Sequence, residues 1–154
     1  MHTDKITESF IYKFDSCLDQ LMDEMNAYAN EEQLWLVTDG INNSSGNLAL
    51  HLIGNLNHFI GAVLGQSGYV RQRDLEFSIN NKPRTEIIQE IIDIKDFLPK
   101  ILSQLTESDY FSLYPFEFPK PEFKPTTFEF LMHLLWHLSY HIGQINYHRR
   151  ILGK

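Results

Sequence analysis

Cysteine is nearly absent: Cys17 is the single one among 154 residues, which excludes an intramolecular disulfide framework. Long apolar runs are missing too, and none approaches the roughly 20 residues that a membrane span needs. The first residues, Met1-His-Thr-Asp-Lys-Ile-Thr-Glu8, lack the apolar core of a secretion signal. A soluble cytoplasmic protein is therefore expected. Basic charge is scarce: 13 Lys and Arg face 20 Asp and Glu, a formal net charge of −7. A nucleic-acid binder usually presents a clustered basic face, and the only dense basic cluster is Arg149-Arg150 with Lys154. That balance argues against a phosphate-backbone partner.

Proline is sparse outside one segment, and long proline-free stretches carry helical periodicity. A first helix is expected from about Asp4 to Ala29, with Ile6, Phe10, Phe14, Leu18, Leu21 and Met25 at three- and four-residue steps. A short helical piece around Trp35 follows, then a turn-rich break from Asp39 to Gly46 whose Ser and Asn residues suit turns and an N-cap. The second helix, about Gly46 to Leu64, has the stripe Leu48, Leu52, Leu56, Phe59, Val63, and Gly65-Gln-Ser-Gly68 ends it. The third starts near Pro83 and runs through Ile87, Ile91, Ile94, Leu98, Ile101 and Leu105, with a kink or break expected at Pro99.

Residues 109–125 then hold four prolines and six aromatics, a composition that forbids a helix and predicts an extended strap packed on the bundle. Its rings either cover the core, join a dimer contact or roof a substrate pocket. Thr126-Thr-Phe-Glu129 reads as a capping box opening a last helix that ends near Leu152. The fold class implied is all-α, a four-helix bundle in a single domain over residues 1–154. Bundles of this kind build metal sites from side chains on facing helices.

The histidines single themselves out. His2 is set aside at the terminus. On the last helix His133, His137 and His141 form an i, i+4, i+8 row that Gln144 and His148 continue. Neighbours at i and i+4 share a face, so either His133/His137 or His137/His141 is able to reach one ion. All three together are not, because His133 and His141 are about 12 Å apart along the axis. The Gly-Gln after His141 favours the second pair. The alternative is a pair of hydrogen-bonded core or interface histidines.

On the second helix His51 and His58 are separated by about 10.5 Å of rise, so only one joins a given ion. His51, after Leu48-Ala-Leu50, is the better-buried choice and His58 the fallback; His133 is the fallback on the last helix. Asn55 and Gln144 are candidates to orient a ligand from behind. Gly54 allows close approach of another backbone. No Asp or Glu stands beside these motifs in sequence, Glu129 being two turns away. Tyr140 and Tyr147 are candidate donors to substrate or interface residues. Arg149 and Arg150 either clamp a carboxylate or sit as solvated charge at the helix C-terminus. Cys17, among Phe14, Leu18 and Leu21, reads as a small buried hydrophobe.

The pair of motifs Leu50-His51-Leu-Ile-Gly-Asn-Leu-Asn-His-Phe-Ile60 and His137-Leu-Ser-Tyr-His141-Ile-Gly-Gln144-Ile-Asn-Tyr-His-Arg-Arg150 resembles the DinB-like family. The similarity spans nearly the whole chain in length and helix order. It implies a four-helix bundle with a long crossing connection, a homodimer packed through bundle helices, and a divalent metal (Zn²⁺ or Ni²⁺) on three histidines, matching His51, His137 and His141, with water completing the shell. Characterised relatives include enzymes that use low-molecular-weight thiols such as bacillithiol or mycothiol. The resemblance thus implies either a metal-dependent thiol S-transferase or hydrolase acting on a small molecule, or a non-enzymatic dimeric bundle that binds a metal or small ligand. Neither version calls for nucleic acid or a membrane.

Overall fold

The computed structural model describes residues 2–153, with side chains from residue 4. The side chain of His2 and the whole of Met1 and Lys154 lie outside the described residues. Four long helices form the frame: α1 His2–Asn26, α2 Ser45–Leu56, α4 Arg84–Leu102 and α6 Thr127–Leu152. Two short ones, α3 Arg73–Ser78 and α5 Glu107–Phe111, sit in the connections, and a 3₁₀ turn covers Glu32–Trp35. No strand occurs among the described residues, so the all-α bundle is the architecture observed.

Each long helix packs on two others in the cyclic order α1, α4, α2, α6. Since α4 and α6 are not neighbours in that ring, the connection between them crosses the end of the bundle. The apolar steps explain the packing. Phe10, Phe14, Leu18, Leu21 and Met25 of α1 are buried, as are Ile87, Ile91, Ile94, Leu98 and Leu102 of α4. Pro99 costs α4 one backbone bond, but the helix runs past it to Leu102. The break expected there does not occur; instead the helix stops short of Leu105, and Ile101 and Leu105 are only half-buried.

All twelve residues of α2 are buried. Its start is fixed by Ser44, whose Oγ accepts from the Asn47 amide at 3.1 Å. Beyond Leu56 the chain widens into a π-helix, Asn57–Leu64. The extra residue per turn moves the buried stripe from Leu56 to Ile60, and Phe59 and Val63 are left half-buried. The strict α-helical spacing had placed those two in the core. Gly68, at φ +77°, turns the chain back toward α3, a helix absent from the sequence expectations. Asn47 holds that segment on α2 by donating to the carbonyls of Glu76 at 2.9 Å and Ile79 at 2.7 Å.

The aromatic segment is a strap from Ser112 onward, while its first residues complete α5, because the earliest proline there is Pro115. Its base is closed by the Leu113–Thr126 bridge. Its rings cover the core: Tyr114 lies 4.4 Å and Phe118 4.9 Å from Phe130, measured between ring centres. The capping box expected on α6 is present, with Thr126 and Glu129 bonded reciprocally. Helices α2 and α6 run antiparallel. Ser45 meets His148, His51 meets His137, and Phe59 meets Phe130. Among the described residues no helix is long and apolar enough to cross a membrane.

Candidate metal centre

His51 projects from the middle of α2 and is buried. His137 and His141 project from α6 one turn apart, and the antiparallel register brings them opposite it. One ring nitrogen from each of the three lies within 4.8 Å of the others. The Nε2 atoms of His51 and His137 are 3.0 Å apart. The expected trio therefore converges, using the His137/His141 pair.

The outward nitrogens explain how the inward ones are aimed. His51 Nδ1 donates to Glu76 Oε2 at 2.8 Å, which fixes its tautomer and leaves the Nε2 lone pair facing His137. His141 Nδ1 donates to Gln144 Oε1 at 2.7 Å, leaving its own Nε2 free. Gln144 thus stands against the outer nitrogen of His141. Asn55 does not: its Oδ1 is buried without a partner and makes no bond to the histidines. His137 Nδ1 is likewise buried and unpaired.

No Asp or Glu neighbours the histidine motifs in sequence, but the fold brings Glu76 of α3 to the site. It is buried, and Arg71 grips both its oxygens, Nε to Oε1 at 2.7 Å and Nη2 to Oε2 at 2.9 Å. Arg71 Nη2 also comes within 3.3 Å of His51 Nδ1; both are donors, and what they share is the carboxylate. Burial alone would raise the Glu76 carboxyl, but hydrogen bonds from His51 and Arg71 outweigh it and hold it below the usual range. Gly54 makes the space. The neighbour it admits is this side chain rather than a backbone, since a Cβ there would sit 2.1 Å from Glu76 Oε1. Six residues of α3 are too few to display a period, so only the glycine in a buried helix hinted at an incoming group.

Burial, followed by the neighbouring His141 and His51, lowers His137 to about 3. Burial also lowers His141, against the opposing Gln144 bond. Neutral imidazoles are the form that ligates metal. Three ligands at about 2.0–2.1 Å in a tetrahedral shell would be about 3.3 Å apart, within the spread observed. The donor set, the convergent ring nitrogens and the anchored back nitrogens of His51 and His141 fit a divalent metal with open positions.

The fallback residues lie apart. His58 packs on Phe59 and Phe116, with ring centres 4.7 and 5.3 Å away. His133 is exposed and stacks on Phe130 at 5.7 Å. Arg149 is not free charge, because its Nε donates to Glu24 Oε2 at 2.6 Å. Cys17 is half-buried, and burial pushes its thiol up against the pull of Lys13, as suits a small hydrophobe. Tyr140 and Tyr147 are exposed.

Comparison with curated proteins finds no match. A family model described as "Protein of unknown function (DUF1572)" matches residues 4–154. The chain, with three histidines converging between its second and last long helices, belongs to that family.

Proposed function

We propose that this chain is a DinB-like protein that holds one divalent cation, Zn²⁺ or Ni²⁺, on His51, His137 and His141, and works as a thiol S-transferase in the cytoplasm. The observation that carries the reading is the approach of three ring nitrogens to within 4.8 Å of one another, with the back nitrogens of His51 and His141 already engaged. When bound, a divalent cation supplies a Lewis acid that favours the deprotonated form of a coordinating thiol or water.

The protein's part is to aim three imidazoles at one point and to keep His137 and His141 neutral by burial. Glu76 is occupied by His51 and Arg71 and so is not free to act as a general base. That favours a thiol over a water nucleophile, since a thiol gives up its proton to solvent more readily. In the transfer, the thiol sulfur forms a bond to an electrophilic carbon. The leaving group departs with its electron pair, and the thiol proton goes to water.

The same reading includes a homodimer. Met132, Trp136, Tyr140, Tyr147 and Ile151 are all exposed. They recur at four- and seven-residue steps along one face of α6, and such a stripe suits a second copy. The test is to purify the chain without chelators, measure bound metals, and assay bacillithiol, glutathione or cysteine with a chromogenic electrophile. One equivalent of Zn²⁺ or Ni²⁺ and a rate that chelation abolishes support the proposal. Equal rates with and without metal refute the transferase reading.

A further inference from the structure

We infer that Glu76 is a positioning residue of the three-histidine site: its carboxylate holds His51 in the Nδ1–H tautomer and aims Nε2 at the point shared with His137 and His141. The inference rests on the metal reading above and adds a residue from a segment, α3, that carries no histidine.

Three separate features place this carboxylate. The first is Gly54. Glycine inside a helix is destabilising relative to alanine, yet any side chain there would collide with Glu76, whose Oε1 and Cδ lie 2.1 and 2.8 Å from a Cβ built on Gly54. The second is Arg71, bonded to both oxygens at 2.7 and 2.9 Å, so the carboxylate cannot swing away. The third is Asn47, which donates to the backbone carbonyls of Glu76 and Ile79 and pins the short helix that carries the acid.

A buried carboxylate needs a partner, and Arg71 alone would meet that need. The additional 2.8 Å bond to His51 is what ties the clamp to the site. A carboxylate behind a ligating histidine fixes ring orientation and raises its basicity, and losing one typically weakens metal binding about 10- to 100-fold. Gln144 does the same for His141 with a neutral oxygen. Glu76 and Arg71 cancel in charge, so the ligand set stays neutral overall.

The test begins with native protein. In ¹⁵N-histidine-labelled wild type, His51 is expected as the Nδ1–H tautomer alone; an Nε2–H ring would overturn the inference. Glu76→Gln offers one acceptor oxygen in place of two and sets an amide against the Arg71 donors. It is expected to lower Zn²⁺ affinity about 10- to 100-fold and shift the Co²⁺ absorption bands, with one ion still bound at saturation. Gly54→Ala, which displaces the carboxylate without altering its chemistry, is expected to do the same. A folded Glu76→Gln with wild-type affinity and Co²⁺ spectrum would make Glu76 merely structural and overturn the inference alone. Wild type that takes up no Zn²⁺ would overturn the metal reading and this inference together. Should both variants fail to fold, the wild-type tautomer decides.

Discussion

His137 and His148 stand about three turns apart on the same helix, and their surroundings ask opposite things of them. His148 is sealed in the core. Its Nε2–H donates to the Leu36 carbonyl at 2.9 Å, so Nδ1 is left to accept from Tyr28 at 2.7 Å or Ser45 at 2.9 Å. Burial, against the Ser45 bond, pushes the Tyr28 phenol up to about 12, so it remains a donor. Every polar atom of that cluster is answered by another, and Ser45 is fully buried.

His137 is the reverse. One nitrogen faces the Nε2 of His51 at 3.0 Å, a nitrogen whose proton is already placed elsewhere. The other is buried with no partner. Proximity of imidazole to a polar group therefore does not mark a metal ligand. Ring nitrogens from three separate rings converging on one point, with the back nitrogens of His51 and His141 engaged elsewhere, do.

The largest contrast should come from deleting one histidine from each region. His51→Ala or His141→Ala removes a ligand itself, so metal affinity should drop by more than about 100-fold, beyond the cost of losing its support. His148→Ala should leave metal stoichiometry untouched, as elemental analysis of the folded protein will test. The next effect is on stability. His148→Ala strands Tyr28, Ser45 and the Leu36 carbonyl beside a cavity, at an expected cost of about 2–4 kcal/mol. Urea unfolding measures it, and a loss below the scatter of surface substitutions would dissolve the comparison.

Acid provides a graded effect. His137 takes up its proton near 3 when folded, against about 6.5 when unfolded. The unfolded chain therefore binds more protons as acid is added. The stability from this neutral ring is full above about pH 6.5 and is lost as pH falls toward 3. Glu76, held below its usual value, adds a loss of the same sign further into acid. Metal-free protein should thus weaken across this window, and His137→Gln should flatten the upper part of the slope. Bound metal should be released within the same acid window, since protons compete for the same nitrogens.

Much of the frame was legible because helical periodicity is long-ranged along the chain. The stripes of α1 and α4 and the capping box of α6 each repeat or punctuate a pattern over many residues. The histidine trio was legible for the same reason, the i, i+4 pair being a property of one helix and His51 the buried member of another. What escaped was local or tertiary. The π-helical widening after Leu56 changed which residues face inward, and no spacing announces it. Pro99 was tolerated because Leu98 and Leu102 bury on either side of it. Helix α3 has too few residues for a period, so Glu76, Arg71 and their meeting with His51 depended on a tertiary contact. The pairing of Arg149 with Glu24 joins α6 to α1 across the bundle, again invisible along the chain.

X-ray absorption at the metal edge of protein purified without chelators tests the central claim most directly. One ion per chain is expected, with three imidazole nitrogens at about 2.0–2.1 Å, falling to two in His141→Ala when metal is supplied in excess. A shell with fewer than three imidazoles in the wild type, or an unchanged shell in the variant, would contradict it.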